Sequence, residues 1–440
     1  MKKIYYLLTL EQKSPLRIGN SNHEQSDNDL MLDGRGMPFI PGTSLCGILR
    51  HRAEALVQDK KVITHLFGNI ETGIADKKAM EVVTSAIIVG DAVLAETTAK
   101  DAVFVGRRDG IGLNEWGTSK KRAKFDFQIC ETGLEFRSVI EWTGTDAERL
   151  DEIENVMEPM LKHYISNGIC VGARTSRGYG KFTVKAQKKV FSLPEQLEEW
   201  LDFDPYAAKA FSVGTELVGK LQKGDNRIEV DFEMVGTFSV RVKTAKTELA
   251  EDGSVPDSVP MENYKGNPVI PGTTWAGVFR HHMLSLLKDV CDKENEIIVN
   301  KLFGVAENPK DFRKSQLTFS ESEIKVKDKH AQKRAVIRNA VERFTAAPKN
   351  TGLFTSMVYS GGMGTLQIDF LPKEMGETQL ELLAATICDM HLGMISVGGE
   401  ASVGRGIMQV KALRLNGNDI TAKMQDSIEK GSPLNWLKEA

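Results

Sequence analysis

Cysteine is scarce and scattered in this chain of 440 residues. The five present (Cys46, Cys130, Cys170, Cys291, Cys388) are an odd number with no Cys-x-x-Cys pair, which excludes a disulfide framework and a zinc knuckle and predicts a reducing, cytoplasmic setting. An excess of one charge is lacking too. The formal net charge of -3 excludes a uniformly basic nucleic-acid coat but leaves room for a local basic groove. No run reaches the roughly 20 apolar residues of a membrane span, so no membrane partner is expected. The apolar stretch after Met1-Lys-Lys3 is short and passes at once into Glu11-Gln-Lys-Ser14 without a cleavage site, unlike a signal peptide. There is no Gly-x-x-x-x-Gly-Lys-Ser/Thr loop, no His-Glu-x-x-His and no Gly-x-Ser-x-Gly elbow, and no nucleotide cofactor is expected. With 41% hydrophobic and 27% charged residues, the chain reads as a soluble protein long enough for two domains with their own cores.

What the chain does have is a repeat. Ile40-Pro-Gly-Thr-Ser-Leu-Cys-Gly-Ile-Leu-Arg-His51 returns 230 residues later as Ile270-Pro-Gly-Thr-Thr-Trp-Ala-Gly-Val-Phe-Arg-His281. Each half opens on strand-like sequence, 4–18 and 228–242, in which Leu16-Arg17-Ile18 is matched to Val240-Arg241-Val242. After the Pro-Gly-Thr turn, Leu45, Ile48, Leu49 and Trp275, Val278, Phe279 supply the i, i+3, i+4 stripe of a helix, with Ser44 and Thr274 as its N-caps. Leu66-Phe-Gly68 and Leu302-Phe-Gly304 follow, with glycine placed for a helix C-cap. Strand-like stretches at 86–91 and 316–321 come next. The last shared block is glycine-rich, Val171-Gly-Ala-Arg-Thr-Ser-Arg-Gly-Tyr-Gly180 against Val397-Gly-Gly-Glu-Ala-Ser-Val-Gly-Arg-Gly406, between a helical stretch and a strand.

The order in each half, strand, helix, strands with insertions, helix, glycine-rich loop, strand, is that of the split βαβ motif. The prediction is α+β: two tandem ferredoxin-like domains over 1–190 and 227–415, an acidic link over 191–226 carrying Glu195, Glu198, Glu199, Asp202 and Asp204, and a tail over 416–440.

The shared blocks suit a phosphodiester. A glycine-rich turn presents backbone N–H groups to an anion, although such loops also occur simply as tight connections needing positive φ. In this block Gly172, Arg174, Ser176 and Arg177 are the first copy's candidate contacts, and Ser402 and Arg405 the second's. From the helix side the candidates are Ser44, Arg50 and His51, then Thr274, Arg280 and His281. Positive charge also gathers ahead of each second helix, at Arg107-Arg108 and Lys120-Lys121-Arg122, and from 325 to 334 with Arg338 beyond; Trp116, Phe125 and Phe344 are interleaved. Cations alternating with aromatics suit a strand of RNA tracked by its phosphates and stacked by its bases.

At these blocks the chain resembles the RAMP superfamily of CRISPR-associated proteins, in particular the backbone subunits of type III (Csm/Cmr) effector complexes. The resemblance rests on 40–50, 66–68 and 172–180 and on the second set at 270–280, 302–304 and 398–406. As a covalent pair of domains it is similar to the fusions of type III-D-like systems. The resemblance implies a subunit that holds CRISPR guide RNA and pairs it with single-stranded target RNA among other type III effector subunits, with a β-hairpin thumb inserted in each domain.

It also implies that an aspartate ahead of the Pro-Gly-Ser/Thr turn cuts the target. Asp27 and Asp257 lie at the same distance before Pro38 and Pro268 and are the catalytic candidates. Asp29 is the local rival in the first loop, whereas Asp33, facing Asn263, is placed to shape the turn before Gly34. A carboxylate there can position Mg2+ or another divalent cation, or assist removal of the 2'-hydroxyl proton, and the family chemistry implies 2',3'-cyclic phosphate ends. Two other readings stand beside target cleavage: a guide-RNA scaffold whose partners cut, and a repeat-processing RNase using a histidine among His23, His51 and His281.

Overall fold

The computed structural model describes residues 1–19, 26–57, 59–69, 83–95, 105–113, 119–144, 153–207, 209–219, 226–243, 255–288, 295–304, 314–328, 332–370, 375–432 and 436–437. By internal packing the chain forms two units. One comprises Met1–Gly106, Gln128–Thr175 and Tyr179–Lys223; the other comprises Arg107–Phe127, Ser176–Gly178 and Gly224–Ala440.

The first half runs β1 (Lys2–Gln12), α1 (Gly42–Leu56), α2 (Lys60–Phe67), β2 (Ile87–Val89), a hairpin of β3 (Val105–Leu113) and β4 (Ser119–Cys130), then β5 (Glu135–Gly144), α3 (Glu158–Asn167) and β6 (Lys181–Ser192). Its sheet has the order β2-β5-β1-β6 with every pairing antiparallel. The second half repeats this as β7 (Asn226–Val235), α4 (Gly272–Lys288), α5 (Asn295–Phe303), β8 (Leu317–Phe319), the hairpin β9 (Lys333–Val341) and β10 (Pro348–Ser360), β11 (Met363–Phe370), α6 (Glu377–His391) and β12 (Ile407–Leu415). Its sheet order is β8-β11-β7-β12. Both are the ferredoxin-like arrangement, with the first strand central and the hairpin inserted ahead of the third.

Alternation sets which face of each sheet is buried. In β1, Ile4, Tyr6, Leu8 and Leu10 face helices α1 and α3 and form one core with Leu45, Leu49, Met160 and Leu161. In β7, Ile228, Val230, Phe232 and Met234 do the same with Trp275, Phe279, Leu383 and Ile387. The opposite face of the first sheet is covered by the acidic segment after β6. Its apolar residues Phe203 and Phe211 pack on Tyr5, Val139 and Phe191, and the Trp200 indole donates to the Tyr5 hydroxyl at 2.9 Å. Its carboxylates are therefore the wet side of a packed layer. The tail is also structural: α7 (Thr421–Glu429) is followed by buried Trp436, whose indole N–H reaches the Cys388 sulfur at 3.3 Å.

One matched register fails by two residues. Ala173 and Gly399, equivalent amides, donate to Arg17 O and Ser239 O, while Met31 and Met261 donate to Ile18 O and Val240 O. Leu16-Arg17-Ile18 therefore corresponds to Phe238-Ser239-Val240 and not to Val240-Arg241-Val242. A slip of two keeps every side chain on its own face, so the apolar pattern is blind to it. Measured from Val240, the approach to Asp257 is 17 positions, against 9 from Ile18 to Asp27.

Candidate nucleic-acid interface

The Pro-Gly-Thr turn is a tight docking of a helix start on a strand. A Cβ on Gly42 would stand 2.2 Å from Val89 O, and one on Gly272 would stand 2.2 Å from Phe319 O. The helices begin at these glycines, so Ser44 and Thr274 are inside the first turn and are not N-caps. Their amides bond to Pro41 O and Pro271 O, both at 2.9 Å. In the first half the helix's open first amide is satisfied from outside, by Asp91 Oδ1 accepting from the Gly42 N–H at 2.7 Å. Gly42→Ala is expected to cost about 1–3 kcal/mol of stability by overpacking, read as a lower denaturation midpoint of the full chain.

Ser44 and Thr274 are half-exposed, and His51 and His281 are exposed on the helix surfaces. Arg50 lies against Glu54 at 3.1 Å and donates to Gly68 O at 3.3 Å, at the C-terminal end of α2; Arg280 donates to Asn300 on α5 at 2.7 Å. Both arginines thus brace the next helix while remaining half-exposed. The neighbouring position differs between halves: Arg52 meets His163 Nδ1 at 2.9 Å, whereas His282 meets Asp389 at 2.7 Å, a pair that the sequence pattern did not single out.

The two glycine-rich loops share their backbone. Gly172 and Gly398 have φ of 89° and 91°, Gly180 and Gly406 of 68° and 75°, and even the non-glycine pair Arg174 and Glu400 is left-handed at 62° and 65°. The Ala173 and Gly180 amides are consumed by Arg17 O and Pro15 O, both at 2.8 Å, so these two N–H groups do not face an anion. The tight-connection reading thus accounts for Gly172 and Gly180. Arg174 and Ser176 are half-buried, and Arg177 and Ser402 are exposed.

Charge separates the loops. Glu400 is held between the Arg338 and Arg405 guanidiniums and accepts from the Ser356 hydroxyl at 3.3 Å. Arg405 is only 6% exposed, so it is an internal partner of Glu400 rather than an open contact, and Arg338 is engaged from the hairpin side. Arg108 is likewise interior at 3% exposure, donating to Glu262 O at 3.1 Å and facing Glu321 at 3.8 Å. Burial pushes the Glu321 carboxyl up, against the pull of the Arg108 charge. The basic stretch on β4 leaves Lys121 exposed; the side chains of Lys120 and Arg122, all of Trp116 and all of His23 lie outside the described residues. Arg107 pairs with Asp126, and Lys124 with Asp109 at 3.1 Å. Phe344, at the tip between β9 and β10, is 94% exposed.

In each half the aspartate loop is stitched to the second strand of the hairpin. Gln128 on β4 donates its amide to Asn28 O and accepts from the Leu30 amide through Oε1, both at 3.0 Å. On β10, Thr355 O accepts from the Asp257 amide at 2.8 Å, and the Thr355 amide donates to Asp257 Oδ2 at 2.9 Å. Asp27 and Asp257 are both exposed. The rival Asp29 is buried, its Oδ1 accepting from the Ser26 amide and hydroxyl at 2.8 Å each, which commits it to the loop. Asp33 and Asn263 shape equivalent turns, accepting from Met37 and Asn267 amides at 2.9 and 3.0 Å. Ser258, the residue after Asp257, pairs with Ser356, whose hydroxyl donates to Glu400, so the second unit brings its aspartate loop, glycine-rich loop and hairpin together.

Within the second unit, Arg177 and Ser176 share a pocket of about 260 Å³ with Gly277, Arg280, Phe303 and Ser315. It joins two arginines that the sequence placed in separate blocks. Among the described residues no group of three or more His, Cys, Asp or Glu could hold a metal, and no helix is long and apolar enough to cross a membrane. Among the described residues, the exposed Asp27 and Asp257 carboxylates fit only an ion that draws most of its ligands from RNA and water. No curated protein matches the chain. A family model described as RAMPs, RAMP superfamily, matches it over residues 9–183 and 225–409.

Proposed function

The chain belongs to the RAMP superfamily, and we propose that it is a guide-RNA-binding backbone subunit of a type III CRISPR effector complex that cuts complementary single-stranded RNA once per domain. Asp27 and Asp257 carry the cuts. Family membership supports CRISPR-associated RNA binding in a complex with other subunits. The observation that carries the catalytic reading is the stitching of the loops: in each half the loop that bears an exposed aspartate is bonded to the hairpin strand, through Asn28 and Leu30 to Gln128 and through Asp257 itself to Thr355.

A carboxylate on such a held loop can take the 2'-hydroxyl proton while the 2'-oxygen attacks the adjacent phosphorus and the 5'-oxygen leaves, giving a 2',3'-cyclic phosphate end. If a divalent ion takes part, Asp27 and Asp257 are the residues that would hold it, and it would supply charge neutralisation at the phosphate. Arg177 and Arg280 in their shared pocket, and Arg174 and Lys121 on the first half, supply cations for the RNA backbone. Exposed Phe344 at the hairpin tip is available for base stacking.

For the second domain a scaffold role has one observation in its favour, since the Asp257 carboxylate already accepts the Thr355 amide. Separate Asp27→Ala and Asp257→Ala subunits, assembled with guide RNA, decide between these readings when target fragments are mapped. Unchanged cutting in both variants would sink the catalytic assignment, and loss in Asp27→Ala alone would leave the second domain as scaffold.

A further inference from the structure

The repeated turn-helix block holds two kinds of glycine. Gly42 and Gly272 are demanded from within, by a strand carbonyl 2.2 Å from the place of a Cβ. Gly47 and Gly277, five residues farther along the same helices, are demanded by nothing among the described residues. Both lie inside a helix, both are exposed, neither has a left-handed φ, and a Cβ on either would meet nothing within 4 Å. Glycine is the poorest helix former after proline, so two such residues, 230 apart at one place in the repeat, weaken their helices with no internal return.

One reason for such a glycine is the close approach of something outside the chain. The surroundings of Gly277 say what kind. It lines the pocket of about 260 Å³ with Arg280 on its own helix and with Arg177 and Ser176 across from it. Two guanidiniums and a hydroxyl around a bare stretch of helix suit an anionic, hydrogen-bonding backbone, and the absent side chain lets that backbone touch the helix. Arg50 keeps the same helical relation to Gly47, three residues on, and is half-exposed.

Building on the RNA-binding reading, we propose that Gly47 and Gly277 are contact points where the sugar-phosphate backbone of single-stranded RNA lies directly on the helix, with Arg280 and Arg177 taking its charge beside Gly277. The two substitutions Gly277→Ala and Gly277→Leu separate this from a structural role, because they improve the helix while filling the contact.

The experiment uses the full chain, a fluorescently labelled single-stranded RNA at low salt, and thermal melting of each variant. The expected result is a Tm equal to or above that of the parent together with RNA affinity lowered at least about fivefold by Ala and further by Leu, with the same order for Gly47→Ala and Gly47→Leu. Parent-like affinity in a folded Gly277→Leu protein overturns the proposal, as does a lowered Tm in Gly277→Ala, which would reveal an internal need for the glycine. If the parent itself binds no RNA, the functional reading fails and takes this one with it; if the parent binds and the Leu variants bind alike, only this one fails.

Discussion

Asp27→Ala in the assembled complex is expected to abolish one of two cuts in the target, slowing cleavage at that phosphate at least about 100-fold, while guide RNA and target stay bound. The geometry makes the prediction specific. Asp27 is exposed, and the loop that carries it is held by the Asn28 carbonyl, the Leu30 amide and the buried Asp29 carboxylate, none of which the substitution removes. Loss of the cut in both Asp27→Ala and Asp27→Asn, the second of which keeps a polar side chain of the same shape in the loop, would thus report the carboxylate and not a collapsed loop. Asp257 needs the same second variant, because its Oδ2 accepts the Thr355 amide. Asp257→Asn keeps an acceptor for that amide while removing the base. Loss of the second cut in both Asp257→Ala and Asp257→Asn, with 2',3'-cyclic ends at whatever cuts remain, fits a general-base role. Loss in Ala alone would mean that the aspartate only fastens its loop to β10.

The repeat made the two folds legible because its blocks sit where backbone geometry is most demanding: the helix start at Gly42 and Gly272 and the glycine-rich turn before β6 and β12. Asp33 shapes its turn, and Asp29, which has Val259 as its counterpart, is spent on Ser26. What was not legible has physical causes. Strand period cannot resolve a slip of two, which displaced the match at Val240. The caps assigned to Ser44 and Thr274 failed because the helices already begin at Gly42 and Gly272; at the first of them Asp91, remote in sequence, supplies the acceptor. Arg108 and Arg405 look like surface cations until Glu321 and Glu400 are seen beside them, since pairing across distant segments leaves no local pattern. The acidic run after β6 hid its role for the opposite reason: its charges are conspicuous, while Phe203 and Phe211, which anchor it, look unremarkable in sequence.

The largest loss of stability is expected at the last glycine of the glycine-rich turn. A Cβ on Gly180 would lie 1.8 Å from Val171 O, and one on Gly406 would lie 2.0 Å from Val397 O, with both residues in left-handed backbone. In each turn that carbonyl belongs to the residue whose own amide bonds back to the glycine, so it cannot retreat without breaking the pair. Left-handed backbone costs a side chain about 1–2 kcal/mol and overpacking about 1–3 more, so Gly180→Ala and Gly406→Ala should each lose roughly 2–5 kcal/mol. Gly404→Ala is the control: its φ is 78°, but nothing lies within 4 Å, so only the backbone cost of about 1–2 kcal/mol applies. Chemical denaturation of the three variants checks the order, and a Gly180→Ala midpoint no lower than that of Gly404→Ala would show that the turn can relax. The same comparison governs how binding data should be read. Weaker RNA binding in Gly180→Ala would follow from a damaged turn, whereas weaker binding in Gly277→Ala, where the helix has room for the methyl, would have to come from what lies on the helix.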